Sequence, residues 1–243
     1  MSNNKKMVFI SHINEEKEIA LQFQKLVNNA FIGLFDTFVS SSPEAISMGS
    51  RWLTKVSDAL NSCHIAIIIC SPESVKRPWI NFEAGATWIR NIDVIPLCHS
   101  GMTPATLPVP LSELQGAVAT DPSSIRLVLS ALSSTLGSQQ PSTDVVSFTN
   151  FMVDYEKEYS FKKELRSAIN TIIEIEPQIK NAFKAKKAIQ ILVPIDRQGE
   201  INKHFDFLER HGFASLEGIT AMMPTQKGMA SLYQLTPLKG LEF

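Results

Sequence analysis

Cysteine is scarce in this chain. Its 243 residues hold three, Cys63, Cys70 and Cys98, with no C-x-x-C pair and no Cys/His set at ligand spacing. That excludes a disulfide scaffold and leaves a structural metal without candidate ligands; thiols in or beside apolar segments fit reduced, packed side chains. Charge of one sign is also lacking: the formal net charge is −1, so no global field draws the chain to nucleic acid or to an anionic membrane. No uninterrupted apolar run approaches the roughly 20 residues of a membrane span. The opening MSNNKK leads straight into a short apolar run rather than a signal-peptide core, so a soluble, cytoplasmic protein is expected. The phosphate loop G-x-x-x-x-G-K, the dinucleotide fingerprint G-x-G-x-x-G and the nucleophile elbow G-x-S-x-G are absent, which removes the kinase, dehydrogenase and elbow-serine hydrolase readings.

What is present is apolar content of 44%, ample for a core, and one informative stretch, His64 to Arg90. Ile65 to Cys70 is continuous, mostly β-branched and without polar alternation, the pattern of a strand buried on both faces. Ser71-Pro72 ends it. Pro78 suits a first helical position, and Trp79, Phe82, Ala86 and Ile89 follow at helical spacing as the expected inward stripe. Within that helix Glu83 stands among Phe82, Ala84, Gly85 and Ala86, a setting carboxylates avoid. Trp79 and Glu83, four apart, share a face near the end that follows the strand, and in open parallel sheets that rim is where ligands bind. On pattern alone, a solvated glutamate beside a core tryptophan is the more ordinary outcome.

The same alternation extends along the chain. Met7 to Ile10 reads as a strand. Glu15 to Ala30 reads as a helix with Asn14 as its N-cap and Glu15, Glu16 and Glu18 at its positive end. Phe31 to Val39 supplies the next buried run, and Ser40 to Gly49 a long polar loop. Ser50 is placed to cap a helix whose inward stripe is Trp52, Leu53, Val56, Ala59 and Leu60. Asp93 to Cys98 is a further strand, His99 to Leu114 an irregular rim segment, and Ser123 to Leu136 a helix. Repeated strand–helix units predict an α/β fold, a doubly wound parallel sheet of four or five strands. Gly137 to Thr143 is the expected linker. Beyond it, Asp144 to Lys187 reads as helix broken at Pro177. There follow a strand Ile189 to Val193, a helix Glu200 to His211, and strands Ala214 to Thr220 and Ser231 to Leu235 about a turn Met223 to Met229. The organisation is therefore 1–137 and 144–243, the second a helical plus small α+β region. Its helix and hairpin resemble a winged-helix module, but its acidic and basic residues are equal in number and no helix is rich in Arg or Lys. Oligomerisation, docking or sensing is expected there, and nucleic-acid contact is not.

Val8-Phe9-Ile10-Ser11-His12, Phe38-Val39-Ser40 before the loop ending in Gly49, Ala59 to Cys63, Ser71-Pro72, Trp79-Ile80-Asn81-Phe82-Glu83 and Val94-Ile95-Pro96-Leu97 follow one another in order. Together they resemble the Toll/interleukin-1 receptor (TIR) domain, particularly its bacterial NAD-cleaving members. The resemblance implies a flavodoxin-like sheet over residues 1–137 and NAD+ glycohydrolase activity at the nicotinamide–ribose bond, giving ADP-ribose or a cyclic ADP-ribose signal in antiphage defence. It makes Glu83, in W-x-x-x-E, the catalytic residue and gives substrate contacts to Trp79, Ser11, His12, Phe9, Ser40 and Ser47, with NAD+ as substrate and no cofactor or metal. Ile13, Asn14 and Ser42 depart from the residue types the family often has there. The resemblance also implies homo-oligomers through TIR–TIR contacts and a protein partner or signal-receiving effector. A single carboxylate suits this chemistry, because nicotinamide leaves neutral and needs no general acid, while the barrier lies in an oxocarbenium-like ribosyl centre. The alternative is a non-catalytic TIR adaptor acting by assembly. A phosphate-accepting receiver, which shares the architecture, lacks its paired acidic residues after the first strand.

Overall fold

A computed structural model describes residues 5–40, 51–225 and 228–239, which form two compact units, 1–157 and 158–243. In the first, strands β1 (Lys6–Ser11), β2 (Phe35–Val39), β3 (Ile65–Cys70), β4 (Asp93–Cys98) and β5 (Ala117–Val118) alternate with helices α1 (Lys17–Phe31), α2 (Arg51–Ser62), α3 (Pro78–Trp88) and α4 (Pro122–Leu136). The sheet is parallel, in the order β2-β1-β3-β4-β5. This is the expected doubly wound arrangement, and its topological switch point lies between β1 and β3.

The strands sort their side chains by parity. Val8, Ile10, Ile65, Ile67 and Ile69 pack under α1 and α4, together with Val145, Phe148 and Met152. Phe9, Ala66, Ile68 and Cys70 pack under α2 and α3. Central strands covered on both faces have no polar positions to alternate, which is why β3 reads as an unbroken apolar run.

Several local expectations need correction. Asn14 makes no cap: residues Asn14–Glu16 form a 3-10 turn, and neither it nor α1 has a side-chain cap hydrogen bond. Glu16 is buried rather than at a solvated helix end. Phe31 closes α1 instead of opening a strand; Ile32 follows in the left-handed region at φ 49° and is 89% exposed. In α2, Val56, Ala59 and Leu60 face inward but Leu53 is exposed. The proposed cap Ser50 and the Trp52 side chain lie outside the described residues. The stripe of α3 is rotated from the one expected. Ile80, Glu83, Ala84 and Thr87 are buried, while Phe82 and Ile89 face solvent. This helix is apolar on both sides, so spacing alone could not choose its inner face.

The polar stretch Gly137 to Thr143 is irregular, but the compact units divide later, at Lys157, within helix α5 (Val146–Ile175). The physical reason is that the first turns of α5 bury Phe148 and Met152 in the core of the first unit. The second unit has α6 (Ile179–Ala185), β6 (Ile189–Pro194), α7 (Gln198–Arg210), β7 (Ala214–Thr225) and β8 (Gly228–Pro237), with antiparallel order β6-β8-β7. Its core gathers Phe183, Ile191, Ile201, Phe205, Tyr233 and Leu235. The hairpin strands run to Thr225 and resume at Gly228, so most of the expected turn Met223 to Met229 is strand. Among the described residues, no helix is long and apolar enough to cross a membrane.

Candidate active site

Three segments meet at the C-terminal rim of the sheet beside the switch point. β1 ends in Ser11, β2 is followed by Ser40, whose backbone N–H donates to the Ile10 carbonyl at 2.9 Å, and α3 starts at Pro78 after the β3 loop. Proline as the first helical residue gives up no hydrogen bond, and one turn on α3 places Glu83 on its buried face. The Glu83 carboxyl is fully buried. Its Oε1 accepts from the Trp79 indole N–H at 2.7 Å, and its Oε2 accepts from the Ser11 hydroxyl and from the Ser40 hydroxyl at 3.2 Å. The half-buried Trp79 stacks on exposed Phe82 with centroids 5.2 Å apart.

Burial pushes the Glu83 carboxyl up to about 7, against the downward pull of the hydrogen bonds from Ser11, Trp79 and Ser40. Three donors favour the ionised form, yet removal from water outweighs them. With its value near 7, both protonation states are populated near neutrality.

His12, next to Ser11, is buried, and among the described residues neither ring nitrogen has a hydrogen-bond partner. Burial, with the nearby Lys17 ammonium, lowers it to about 4, so it is neutral. Phe9 lies deeper: fully buried, it stacks on Phe38 at 5.5 Å within the core. Ser47 is outside the described residues. The structure thus joins Glu83, Trp79, Ser11 and Ser40 by direct hydrogen bonds, sets His12 alongside, and places Phe9 in the packing beneath. A cavity of about 720 Å³ lies elsewhere, between the start of β4 and α4, and contains none of these residues. Among the described residues no group of three or more His, Cys, Asp or Glu is placed to hold a metal.

The rim also holds a network that sequence reading missed. His99, after β4, and Glu16, in the β1–α1 connection, are both buried and pair at 3.1 Å between Nε2 and Oε1, while the other Glu16 oxygen has no partner among the described residues. Arg77 pairs with Glu15 at 3.0 Å, the Tyr155 hydroxyl donates to the Glu15 carbonyl at 3.0 Å, and Glu156 accepts from the Ser100 backbone N–H at 2.8 Å. These partners are far apart in sequence, and no spacing rule links them.

Fold and rim together define a doubly wound α/β protein with a buried carboxyl at its switch point. A family model described as the TIR domain matches residues 8–126. Residues 8–126 are therefore a TIR domain, and Trp79 and Glu83 both fall within it. No curated protein matches the chain.

Proposed function

We propose that the protein is an NAD+ nucleosidase that cleaves the nicotinamide–ribose bond, with Glu83 as the catalytic residue. The observation that carries this reading is the Glu83 carboxyl, raised to about 7 and held by an indole and two serine hydroxyls at the switch-point rim. The Ser11 and Ser40 hydroxyls stand where two hydroxyl donors meet one carboxylate. When they release it, the two ribose hydroxyls of NAD+ offer the same chemistry in their place. The ionised carboxylate then stabilises the positive charge that grows on the ribosyl carbon as neutral nicotinamide departs, in a site from which water is excluded. Stabilisation of that kind, realised only at the transition state, raises kcat rather than affinity alone. Trp79 supplies an aromatic wall, and His12, neutral and with both ring nitrogens unmet among the described residues, is ready to exchange a hydrogen bond with a bound ligand. The ribosyl carbon is then taken by one water admitted as nicotinamide leaves, which gives up a proton and yields ADP-ribose, or by an adenine nitrogen of the same molecule, which yields the cyclic form; the setting is cytoplasmic antiphage defence, and TIR–TIR assembly opens and completes the site. Residues 144–243 serve oligomerisation, docking or sensing.

One observation favours a second reading. Among the described residues the donors to Glu83 are Ser11, Ser40 and Trp79, all internal, and the carboxyl is sealed from solvent, which also suits a structural tie between β1, β2 and α3 in a non-catalytic TIR adaptor. Incubating the full chain with NAD+, alone and under crowding, and separating the products by chromatography decides between them. Nicotinamide release by the wild type and none by Glu83→Ala supports the enzyme; equal absence in both supports the adaptor.

A further inference from the structure

The Glu16–His99 pair has no place in the chemistry just described, and stability alone is a poor reason for it. Replacing both partners of a buried hydrogen-bonded pair by apolar groups of the same shape can be nearly neutral, whereas losing one partner strands the other. Its position is more informative. Glu16 ends the short connection that begins at His12, and its backbone N–H donates to the Ile13 carbonyl at 2.9 Å, so Ile13 to Glu16 close a tight turn directly after Ser11 and His12. His99 anchors that turn to the end of β4, across the end of β3, where its backbone N–H donates to the Cys70 carbonyl at 2.9 Å.

One turn of α5 grips both ends of this bridge. Tyr155 donates to the Glu15 carbonyl and meets the His99 ring edge-on at 5.9 Å. Glu156 holds the backbone N–H of Ser100, whose φ of 53° sits in the left-handed region that a serine rarely adopts. The Ser100 hydroxyl in turn lies 2.9 Å from His99 Nδ1. The Glu16 oxygen and both His12 nitrogens that lack partners among the described residues lie in the clamped turn and directly before it. They are a standing cost that a small shift or a ligand relieves. α5 then runs on to Ile175, past the division at Lys157.

We propose that Glu16 and His99 are positioning residues through which α5 holds Ser11 and His12 in register with Glu83, so that displacement of α5 alters turnover. This rests on the nucleosidase reading above. The test uses the full chain, the variants His99→Phe and His99→Gln, and the double variant Tyr155→Phe/Glu156→Ala, which removes both α5 contacts and leaves the buried pair in place. Two readouts are taken, steady-state nicotinamide release and amide hydrogen exchange over residues 11–17. The double variant and His99→Phe are expected to lower kcat about tenfold or more, with KM changed less than about threefold, because misplacement by an ångström is costly to turnover. Exchange over 11–17 should quicken in both, and His99→Gln, which keeps a donor, should recover most of the lost kcat. Unchanged exchange in the double variant overturns the proposal, as does quickened exchange with unchanged kcat. Should the wild type release no nicotinamide, the nucleosidase reading fails by itself. The exchange data then decide whether α5 clamps the turn.

Discussion

The Trp79 indole N–H donates to Glu83 Oε1 at 2.7 Å across one turn of α3. This bond makes the W-x-x-x-E spacing a geometric requirement. Four residues is the separation at which two helical side chains meet on one face, and it turns the buried carboxyl toward the ends of β1 and β2.

Glu83 and His12 should oppose each other in the pH dependence of stability. Glu83 rises in the fold from its ordinary 4.5 to about 7, so the native state holds the extra proton. Its contribution is fully present below 4.5 and is lost as pH climbs through 7. His12 falls from 6.5 to about 4, so the unfolded state holds the extra proton, and stability is lost as pH drops from 6.5 to 4. Each amounts to about 3 kcal/mol over its window, and between 4.5 and 6.5 the two nearly cancel. Denaturant unfolding across pH should show the Glu83→Gln variant losing stability on acidification more steeply than wild type, and His12→Gln gaining relative to it. Parallel curves for all three proteins would count against both shifts.

The same raised carboxyl predicts a rate profile. If ionised Glu83 carries the charge stabilisation, kcat/KM for nicotinamide release should fall on the acid side with a midpoint near 7, since that ratio reports groups in the free enzyme. A midpoint near the ordinary 4.5 would contradict this assignment.

Phe9 should behave as packing. It is fully buried against Phe38, so Phe9→Ala is expected to cost about 3–5 kcal/mol in denaturant unfolding. Phe9→Leu, which keeps most of the volume, should leave KM for NAD+ within about twofold of wild type, because the site contacts are untouched. A large KM change with Phe9→Leu at unchanged stability would return Phe9 to the substrate site.

Ile32 offers a gain. It is β-branched, 89% exposed and held at φ 49°, immediately after α1. Replacing it with Gly or Asn, which adopt that conformation readily, should stabilise the fold by about 1 kcal/mol. A rise in melting temperature checks this, and a fall would mean Ile32 makes contacts that offset its strain.

The sequence revealed what repeats. The order of strands and helices was legible because buried parallel strands are continuous apolar runs and Pro78 marks a helix start. Glu83 stood out because a carboxyl amid Phe82, Ala84 and Gly85 contradicts its setting. The face that α3 buries was not legible, since Phe82 and Ile89 are as apolar as Ile80 and Ala84. Two-residue β5 is too short to show any period. Asp121, which caps α4 by accepting from the Ser123 and Ser124 backbone N–H groups, carried a recognisable signal in its position one residue before Pro122. Glu16 and His99 carried none, because each alone reads as a surface polar residue and only the folded chain brings them together.

The most direct measurement follows NAD+ by proton NMR with the full chain at pH 8, where Glu83 is ionised, against the Glu83→Gln variant at matched concentration and crowding. The account predicts free nicotinamide signals growing with wild type and absent with Glu83→Gln, a nearly isosteric change that keeps the fold. Nicotinamide released at equal rates by both proteins, or by neither, would contradict it.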